Sequence, residues 1–230
     1  MAVLISSLAP VVIILFYIYF RDKYEKEPVR LLLLSLAAGA FIVIPVLFAE
    51  RFVSSLNPFR ENLSSSANAA YQAFFVAALV EEAFKFIALY LIFWNNKHNN
   101  EKFDGIVYAV FISLGFAAVE NILYVSEGGI NVALTRAITA VPAHALFGIR
   151  MGYFYGIARM YPELKKSFLP MAFLYPFLLH GFYDFILMAG VDWLLLLFIP
   201  YMVFLYFVGF RKMKISSDSS IFRDDVEIPE

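Results

Sequence analysis

The chain has 230 residues, of which 62% are hydrophobic, 18% aromatic and 16% charged, with a formal net charge of −1 and no cysteine. This hydrophobic fraction exceeds what a soluble domain can cover with polar surface, so the composition predicts an integral membrane protein. A net charge near zero gives no basic footprint for nucleic acid. The absence of cysteine excludes disulfides and thiolate chemistry.

Seven stretches are apolar over about 20 residues, the length that crosses a hydrocarbon core about 30 Å thick. They lie near residues 2–20, 30–49, 70–94, 104–125, 133–158, 168–189 and 192–210. The first has no basic region before it and no small-residue cleavage site after it, so we expect a retained helix rather than a removed signal peptide. The sequence thus predicts an all-α polytopic membrane protein, with a transmembrane domain over 1–214 and a disordered cytoplasmic tail over 215–230.

The basic residues predict the orientation of these helices. Lysine and arginine cluster in the first, third and fifth loops and after the last helix, whereas the opposite loops hold only Arg51, Arg60 and Arg136. Loops rich in basic residues stay in the cytoplasm. We therefore expect the amino terminus outside, the carboxyl terminus inside and the serine-rich second loop outside as a mobile connection.

Three ionisable residues, Glu81, Glu82 and Lys85, interrupt the third apolar stretch. A charge at the centre of a membrane helix costs roughly 2.5 to 3.5 kcal/mol, so such groups normally face a protein interior or a wet cavity and carry function. Glu81 and Lys85, four residues apart, share a helix face, and Glu82 is rotated by about 100°. The alternative is an ion pair that only ties helices together.

Further polar residues lie at a similar predicted depth. At a rise of about 1.5 Å per residue, Glu81, Glu120, His144, His180 and Asp184 lie roughly 8 to 17 Å below the outer ends of their helices. Four separate helices thus contribute to one polar layer. An aspartate four residues after a histidine can fix its tautomer or share a metal ion with it.

The glycines of the fifth stretch, Gly148, Gly152 and Gly156, recur at intervals of four residues. Small residues at this spacing let membrane helices approach closely. His144 lies one step earlier on the same face, so we expect it to point inward.

Three short motifs occur in order along the chain: EExxK at Glu81–Lys85, FxxxE at Phe116–Glu120 and HxxxD at His180–Asp184. The FDGIVYA segment around Asp104 and the residue Asn121 agree with the same pattern. Together they resemble the PrsW family of bacterial intramembrane proteases over nearly the whole chain. That family belongs to a superfamily of glutamate-dependent membrane peptidases that includes the CAAX prenyl proteases and bacteriocin-processing relatives.

The resemblance implies cleavage of a single-span anti-sigma factor at the outer side of the bacterial plasma membrane, the first cut in releasing a sigma factor. By resemblance, Glu81 and Glu82 match the essential glutamate pair and His180 the essential histidine. Glu120 and Asp184 match the other motif positions, and we expect Lys85, Asn121 and Asp104 to support the site. The CAAX proteases differ, with histidine where Glu120 stands and a more distant arginine in place of Lys85.

The chemistry of the residues points to a carboxylate base, because neither cysteine nor a GxSxG motif is present. We hypothesise that Glu81, tuned by Glu82 or Glu120, removes a proton from water. His180, oriented by Asp184, and either His144 or Asn121 would then donate to the oxyanion. No cofactor is expected. The alternative is zinc held by Glu120, His144 and His180, although the sequence has no HExxH pair.

Two other classes of function are compatible with buried ionisable residues, namely a proton-coupled transporter or channel and a non-catalytic scaffold. Seven helices do not divide into two equal inverted repeats, which argues against the transporter. The expected partners are a single-span substrate protein and the lipid bilayer, with no nucleic acid. The sequence gives no oligomeric state.

Overall fold

The computed structural model describes residues 2–62 and 65–223, and every element in these ranges is helical. The elements, in chain order, are α1 (Ala2–Arg21), α2 (Val29–Ser55), α3 (Ser66–Ala70), a π-helix (Tyr71–Ala78), α4 (Leu79–Phe93), α5 (Lys102–Ile138), α6 (Ala140–Met160), a 3₁₀ turn (Pro162–Leu164), α7 (Lys165–Met188), α8 (Asp192–Leu195) and α9 (Phe198–Asp218). The predicted all-α class is confirmed.

Among the described residues, five stretches are long and apolar enough to cross a membrane. They are Leu4–Arg21, Val29–Ser55, Lys102–Met160, Pro162–Met188 and Asp192–Asp218. The protein is therefore a multi-pass membrane protein on length and composition. The count of seven spans and the outside position of the amino terminus stay predictions.

The sequence predicts a break between residues 125 and 133, and the structure has a break there, at a single residue rather than over a loop. α5 runs to Ile138 as two helical segments joined at a kink, and the only non-helical φ and ψ angles inside it are those of Gly129, at 71° and −160°. A positive φ is accessible to glycine without steric cost, so the helix bends at this residue and then resumes. The helix predicted to begin at 133 instead starts at Ala140.

α5 is the central helix, because almost every side chain from Phe103 to Ala117 is buried. It packs against α1, α2 and α6. A helical segment that is apolar on all sides is typically buried among other helices. This part of α5 therefore forms the centre of the helix bundle.

The predicted close packing of the α6 glycines is confirmed, since Gly148, Gly152 and Gly156 all face the backbone of α5. A Cβ atom added to Gly152 would lie 2.2 Å from the carbonyl oxygen of Gly105. No side chain larger than hydrogen fits that gap. The two helices thus approach closely just below the residues that carry the charged groups.

A π-helix immediately precedes the glutamate pair. The N–H of Leu79 donates to the carbonyl oxygen of Phe74, five residues earlier. Such segments are rare and frequently adjoin functional sites. Phe74 packs against α7, where a Cβ atom on Gly181 would lie 2.3 Å from its ring. The π-helix is thereby fixed beside the turn of α7 that carries His180.

The carboxyl-terminal end of α9 differs from the predicted disordered tail. The helix runs to Asp218, and Ser216, Ser217 and Ser220 are buried. Ser220 donates a hydrogen bond to Glu101. The predicted boundary at 214/215 therefore lies inside α9, and the rest of that tail, from residue 224, falls outside the described residues.

Two buried acids lie in the loop between α1 and α2, outside the membrane-spanning stretches. Burial raises the pKa of Asp22 to about 6 and that of Glu27 to about 7. Glu27 accepts a hydrogen bond from Tyr108 of α5, and its N–H donates to Asp22 at 3.2 Å. Glu27 thus attaches the loop to α5, and both acids favour the protonated form.

Gly115→Ala is expected to lower the free energy of unfolding by about 1–3 kcal/mol, because the added Cβ would lie 2.1 Å from the carbonyl oxygen of Leu36 in α2. The matched control is Gly209→Ala, whose Cβ meets only side-chain atoms of Leu146 and Ile149 and no backbone atom. Denaturant unfolding in detergent measures both variants. Equal effects would contradict the close α2–α5 crossing.

Glu27→Gln is expected to raise stability at pH 8 by about 1–3 kcal/mol. A raised pKa means that the folded state favours the protonated acid, so wild-type stability falls as the pH rises from about 4 through about 7. The advantage of glutamine should therefore shrink toward zero near pH 4. Thermal unfolding across this range tests it, with the exposed Glu163→Gln as control. An advantage that grew at low pH would contradict the assignment.

Candidate active site

A cavity of about 440 Å³ lies between α2, the π-helix, α4, α5, α6 and α7. Its ionisable lining residues are Glu50, Glu81, Glu120, Arg136, His144, His180, Asp184, Tyr124 and Tyr183. Apolar side chains such as Val46 and Phe147 form the remaining wall. Ionisable groups from five of these elements, counted within the described ranges, therefore line one cavity.

Lys85 lies under this cavity with no exposed surface. Its Nζ atom is 2.9 Å from Glu81 Oε2, 2.8 Å from Glu82 Oε1 and 3.2 Å from His144 Nδ1. An ammonium group has three N–H donors and no acceptor, so these three contacts use all of them. The ring of Phe116 lies 4.3 Å from the same atom. We call these residues, apart from Phe116, the Lys85 cluster.

The two glutamates have different environments. Glu81 lines the cavity, whereas Glu82 is completely buried and contributes nothing to the lining. Glu82 Oε1 contacts both Lys85 and His180 Nδ1, the latter at 3.0 Å, and Oε2 has no hydrogen-bond partner among the described residues. Of the pair, only Glu81 can therefore meet a molecule in the cavity.

The contacts of His144 fix its protonation. Because Lys85 can only donate, His144 Nδ1 must accept, and the ring proton must be on Nε2. Nε2 is 2.8 Å from Glu120 Oε2, which accepts that proton. The same carboxylate oxygen lies 3.1 Å from Arg136 Nη2. His144 is thus a neutral ring held between a lysine and a glutamate.

His180 faces a carboxylate on each side. Its Nδ1 is 3.0 Å from Glu82 Oε1 and its Nε2 is 3.2 Å from Asp184 Oδ2. The ring of Phe147 stacks on the imidazole at a centroid distance of 5.0 Å. Two acceptor partners match an imidazolium, which donates from both nitrogens. The predicted pairing of His180 with Asp184 is present.

The structure brings together seven of the residues singled out from the sequence, namely Glu81, Glu82, Lys85, Glu120, His144, His180 and Asp184. Asn121 lies behind the cavity wall. Its amide donates to the carbonyl oxygen of Ser7 and accepts from Arg136 Nε, each at 2.7 Å. Asn121 is fully buried and is not among the residues that line the cavity, so its amide does not reach the position of the oxyanion contact that the sequence suggested.

Asp104, which we expected to support the site, does not line the cavity. Its carboxylate accepts the N–H groups of Asn100 and Glu101 at 2.8 and 2.7 Å and so caps the first turn of α5. At about 1.5 Å per residue it lies about 24 Å along the helix from Glu120. Its role is to begin the helix that carries the site.

Two charged residues of the cavity were missed by the sequence interpretation, Glu50 and Arg136. Glu50 lies one residue beyond the predicted end of its helix, and Arg136 was assigned to a loop. The available signal for Arg136 was the Gly128–Gly129 pair, which lies midway between it and Glu120. A bend there brings the two residues together.

The fold and the cavity define a membrane-embedded helical protein with converging carboxylates, histidines and a buried lysine. A model described as the PrsW family intramembrane metalloprotease matches residues 27–210. Protease PrsW of Oceanobacillus iheyensis is 39% identical over 221 residues, covering 96% of this chain and 99% of the relative. The chain therefore belongs to the PrsW family of intramembrane proteases and is a peptidase.

Other relatives agree with this assignment. Protease PrsW of Bacillus subtilis is 36% identical over 214 residues, covering 93% of this chain and 94% of the relative. That of Clostridioides difficile is 36% identical over 214 residues, with coverages of 90% and 88%. No solved structure gives a significant match.

The family description implies a metal ion, but the arrangement of ligands does not fit one. Within 2–62 and 65–223, the one converging group is Glu81, Glu82 and His144, with ligand atoms within 4.8 Å of one another. Lys85 Nζ already contacts all three residues, and zinc would need to lie about 2.0–2.2 Å from each ligand atom. The ammonium group fills the position that a cation would take.

The alternative zinc set of Glu120, His144 and His180 is not assembled either. Both nitrogens of His180 face other carboxylates, those of Glu82 and Asp184. His144 Nε2 contacts Glu120, but His180 turns no nitrogen toward that pair. Neither set of residues is therefore arranged to hold a catalytic metal ion.

Lys85→Met is expected to lower the free energy of unfolding by about 3–5 kcal/mol, because two buried carboxylates lose their counter-ion. It should also convert the three ligand-type side chains into a zinc site, with about one zinc per protein after zinc exposure and desalting. Elemental analysis measures this, and the exposed Lys97→Met is the control. Equal zinc retention by wild type would contradict the displacement of metal by Lys85.

Proposed function

We propose that the protein is an intramembrane endopeptidase that makes the first, outer-side cut in a membrane-anchored anti-sigma factor, using water activated by Glu81. The observation that carries this proposal is the contrast between the paired glutamates. Glu81 reaches the cavity while Glu82 stays buried beneath it. A carboxylate that lines a cavity and has a fixed counter-ion can act as a general base.

Glu81 has one oxygen bound to Lys85, which leaves the other for a water molecule. In the proposed reaction, that oxygen takes a proton from water as the hydroxide attacks the substrate carbonyl carbon. Glu81 then returns the proton to the leaving amine, so no external acid is consumed. Lys85 balances the charge of the pair, and Glu82 holds Lys85 and His180 in position.

His180 is the proposed stabiliser of the oxyanion. As an imidazolium between Glu82 and Asp184, it puts positive charge beside the cavity, where the negative charge of the oxyanion develops. Asp184 orients the ring. His144 and Glu120 form the opposite wall and hold Lys85 through the contact with His144 Nδ1.

The outer-side cut follows from the position of the cavity together with the predicted orientation. The cavity is formed by the carboxyl-terminal ends of α2 and α7 and by the amino-terminal ends of α4 and α6. With the amino terminus outside, all of these ends face outward. A single-span protein in the bacterial plasma membrane would reach the cavity with the segment where its helix leaves the bilayer. The resemblance to PrsW proteases supports an anti-sigma factor as that substrate.

Glu81→Gln is expected to lower kcat by about 100- to 10,000-fold, because it preserves shape and removes the base. The assay uses purified protein in proteoliposomes with a co-reconstituted single-span anti-sigma substrate. The exposed Glu127→Gln is the control. Unchanged cleavage in Glu81→Gln, accompanied by altered proton flux, would favour the transporter instead.

The same assay tests the metal-free mechanism. Strict chelation is expected to leave the rate unchanged, because Lys85 and not a metal ion neutralises the glutamate pair. Loss of cleavage on chelation, with recovery on adding zinc, would overturn that mechanism.

A further inference from the structure

Arg136 has no assigned role, yet it lies in the wall of the cavity. It belongs to the segment 130–138, which we call the second arm of α5, beyond the bend at Gly129. The bend returns this arm toward the part of α5 that carries Glu120. Glu120 and Arg136, which are 16 positions apart and lie on opposite sides of the kink, thereby come into contact.

The guanidinium group is held at three points. Nη2 lies 3.1 Å from Glu120 Oε2, and Nε donates to Asn121 Oδ1 at 2.7 Å. The guanidinium carbon lies 4.2 Å from the centre of the Tyr124 ring. The side chain is only 14% exposed. A planar donor group that contacts two acceptors and stacks on an aromatic ring is held in one orientation.

The hydrogen bond from Arg136 to the uncharged amide of Asn121 is itself fixed by the fold. Asn121 Nδ2 donates to the carbonyl oxygen of Ser7 in α1, which leaves Oδ1 as the acceptor for Arg136. Arg136 would therefore keep one hydrogen bond even without the Glu120 carboxylate. Its position is determined by α1 and α5 together.

Glu120 Oε2 accepts a hydrogen bond from His144 Nε2 at 2.8 Å and forms an ion pair with Arg136 Nη2 at 3.1 Å. His144 Nδ1 must accept from Lys85, so catalysis by the Lys85 cluster needs the ring proton on Nε2 and the Glu120 carboxylate opposite it. We propose that Arg136 is a positioning residue. It holds the Glu120 carboxylate against His144 Nε2 and so keeps His144 in the tautomer that binds Lys85. The catalytic consequence rests on the proposed function, while the tautomer does not.

The first test reads the tautomer directly. The chain has three histidines, so ¹⁵N-histidine labelling gives a small spectrum that His98→Gln and His180→Gln variants assign. Wild type is expected to give a neutral His144 protonated at Nε2. In Arg136→Gln the Glu120 carboxylate is no longer held, so the Nε2–H of His144 should lose its charged acceptor and its ¹H and ¹⁵N shifts should move, while Nδ1 still accepts from Lys85. An unchanged His144 spectrum in the folded variant would overturn the proposal.

Arg136→Lys keeps the charge but loses the planar fork, so it should give a smaller shift change than Arg136→Gln. This variant also keeps the test open if Arg136→Gln fails to fold, because an unchanged His144 spectrum in Arg136→Lys would then overturn the proposal. The control is Arg51→Gln, an exposed arginine of α2, which should leave the spectrum as in wild type.

The second test is a double-mutant cycle on cleavage. Arg136→Gln should lower kcat about 10- to 100-fold with little change in KM, because only the geometry of the site changes. If Arg136 acts through Glu120, adding Arg136→Gln to Glu120→Gln should cause no further loss. Additive losses would overturn the positioning role. If wild type cleaves nothing, the proposed function fails, and the spectrum still decides the role of Arg136.

Discussion

The three contacts of the Lys85 ammonium are the constraint on which the rest of the site depends. A fully buried cation and two adjacent carboxylates are each unfavourable in an apolar environment, and they become acceptable only together. Two of the three acceptors then lead to a further helix: Glu82 contacts His180 of α7, and His144 of α6 contacts Glu120 of α5. Displacing one member leaves a buried charge uncompensated, so the arrangement is cooperative.

Such contacts require backbones that approach within a narrow range. The glycine face of α6 against α5 provides this, since Gly152 leaves room for no Cβ beside Gly105. With α5 and α6 fixed at that separation, Glu120 and His144 meet at 2.8 Å. Apolar packing in one half of the helix pair therefore sets hydrogen-bond distances in the other. The capping carboxylate of Asp104 begins the same helix at its far end.

The sequence was informative where function depends on local spacing. The four-residue spacing predicted that Glu81 pairs with Lys85 and that His180 pairs with Asp184. A similar predicted depth placed Glu120 and His144 in the same polar layer. The sequence did not predict the contacts that depend on tertiary structure. Asp104 belongs to a matching segment but lies about 24 Å from the site along its helix. Arg136 reaches Glu120 only because Gly129 adopts a positive φ, and no periodicity shows which of two neighbouring glycines will bend a helix.

The π-helix has a consequence for how this chain can vary. Between Tyr71 and Ala78 each turn holds more residues than an α-helical turn, with the bond from Leu79 spanning five positions. Losing one residue there would let the backbone relax to ordinary α-helical bonding. Because the wider turns are what accommodate the extra residue, the segments on either side, α3 before it and α4 after it, would keep nearly the same facing, and the glutamates would stay aligned with α7. The π-helix therefore lets this segment lose one residue without turning Glu81 and Glu82 away from His180.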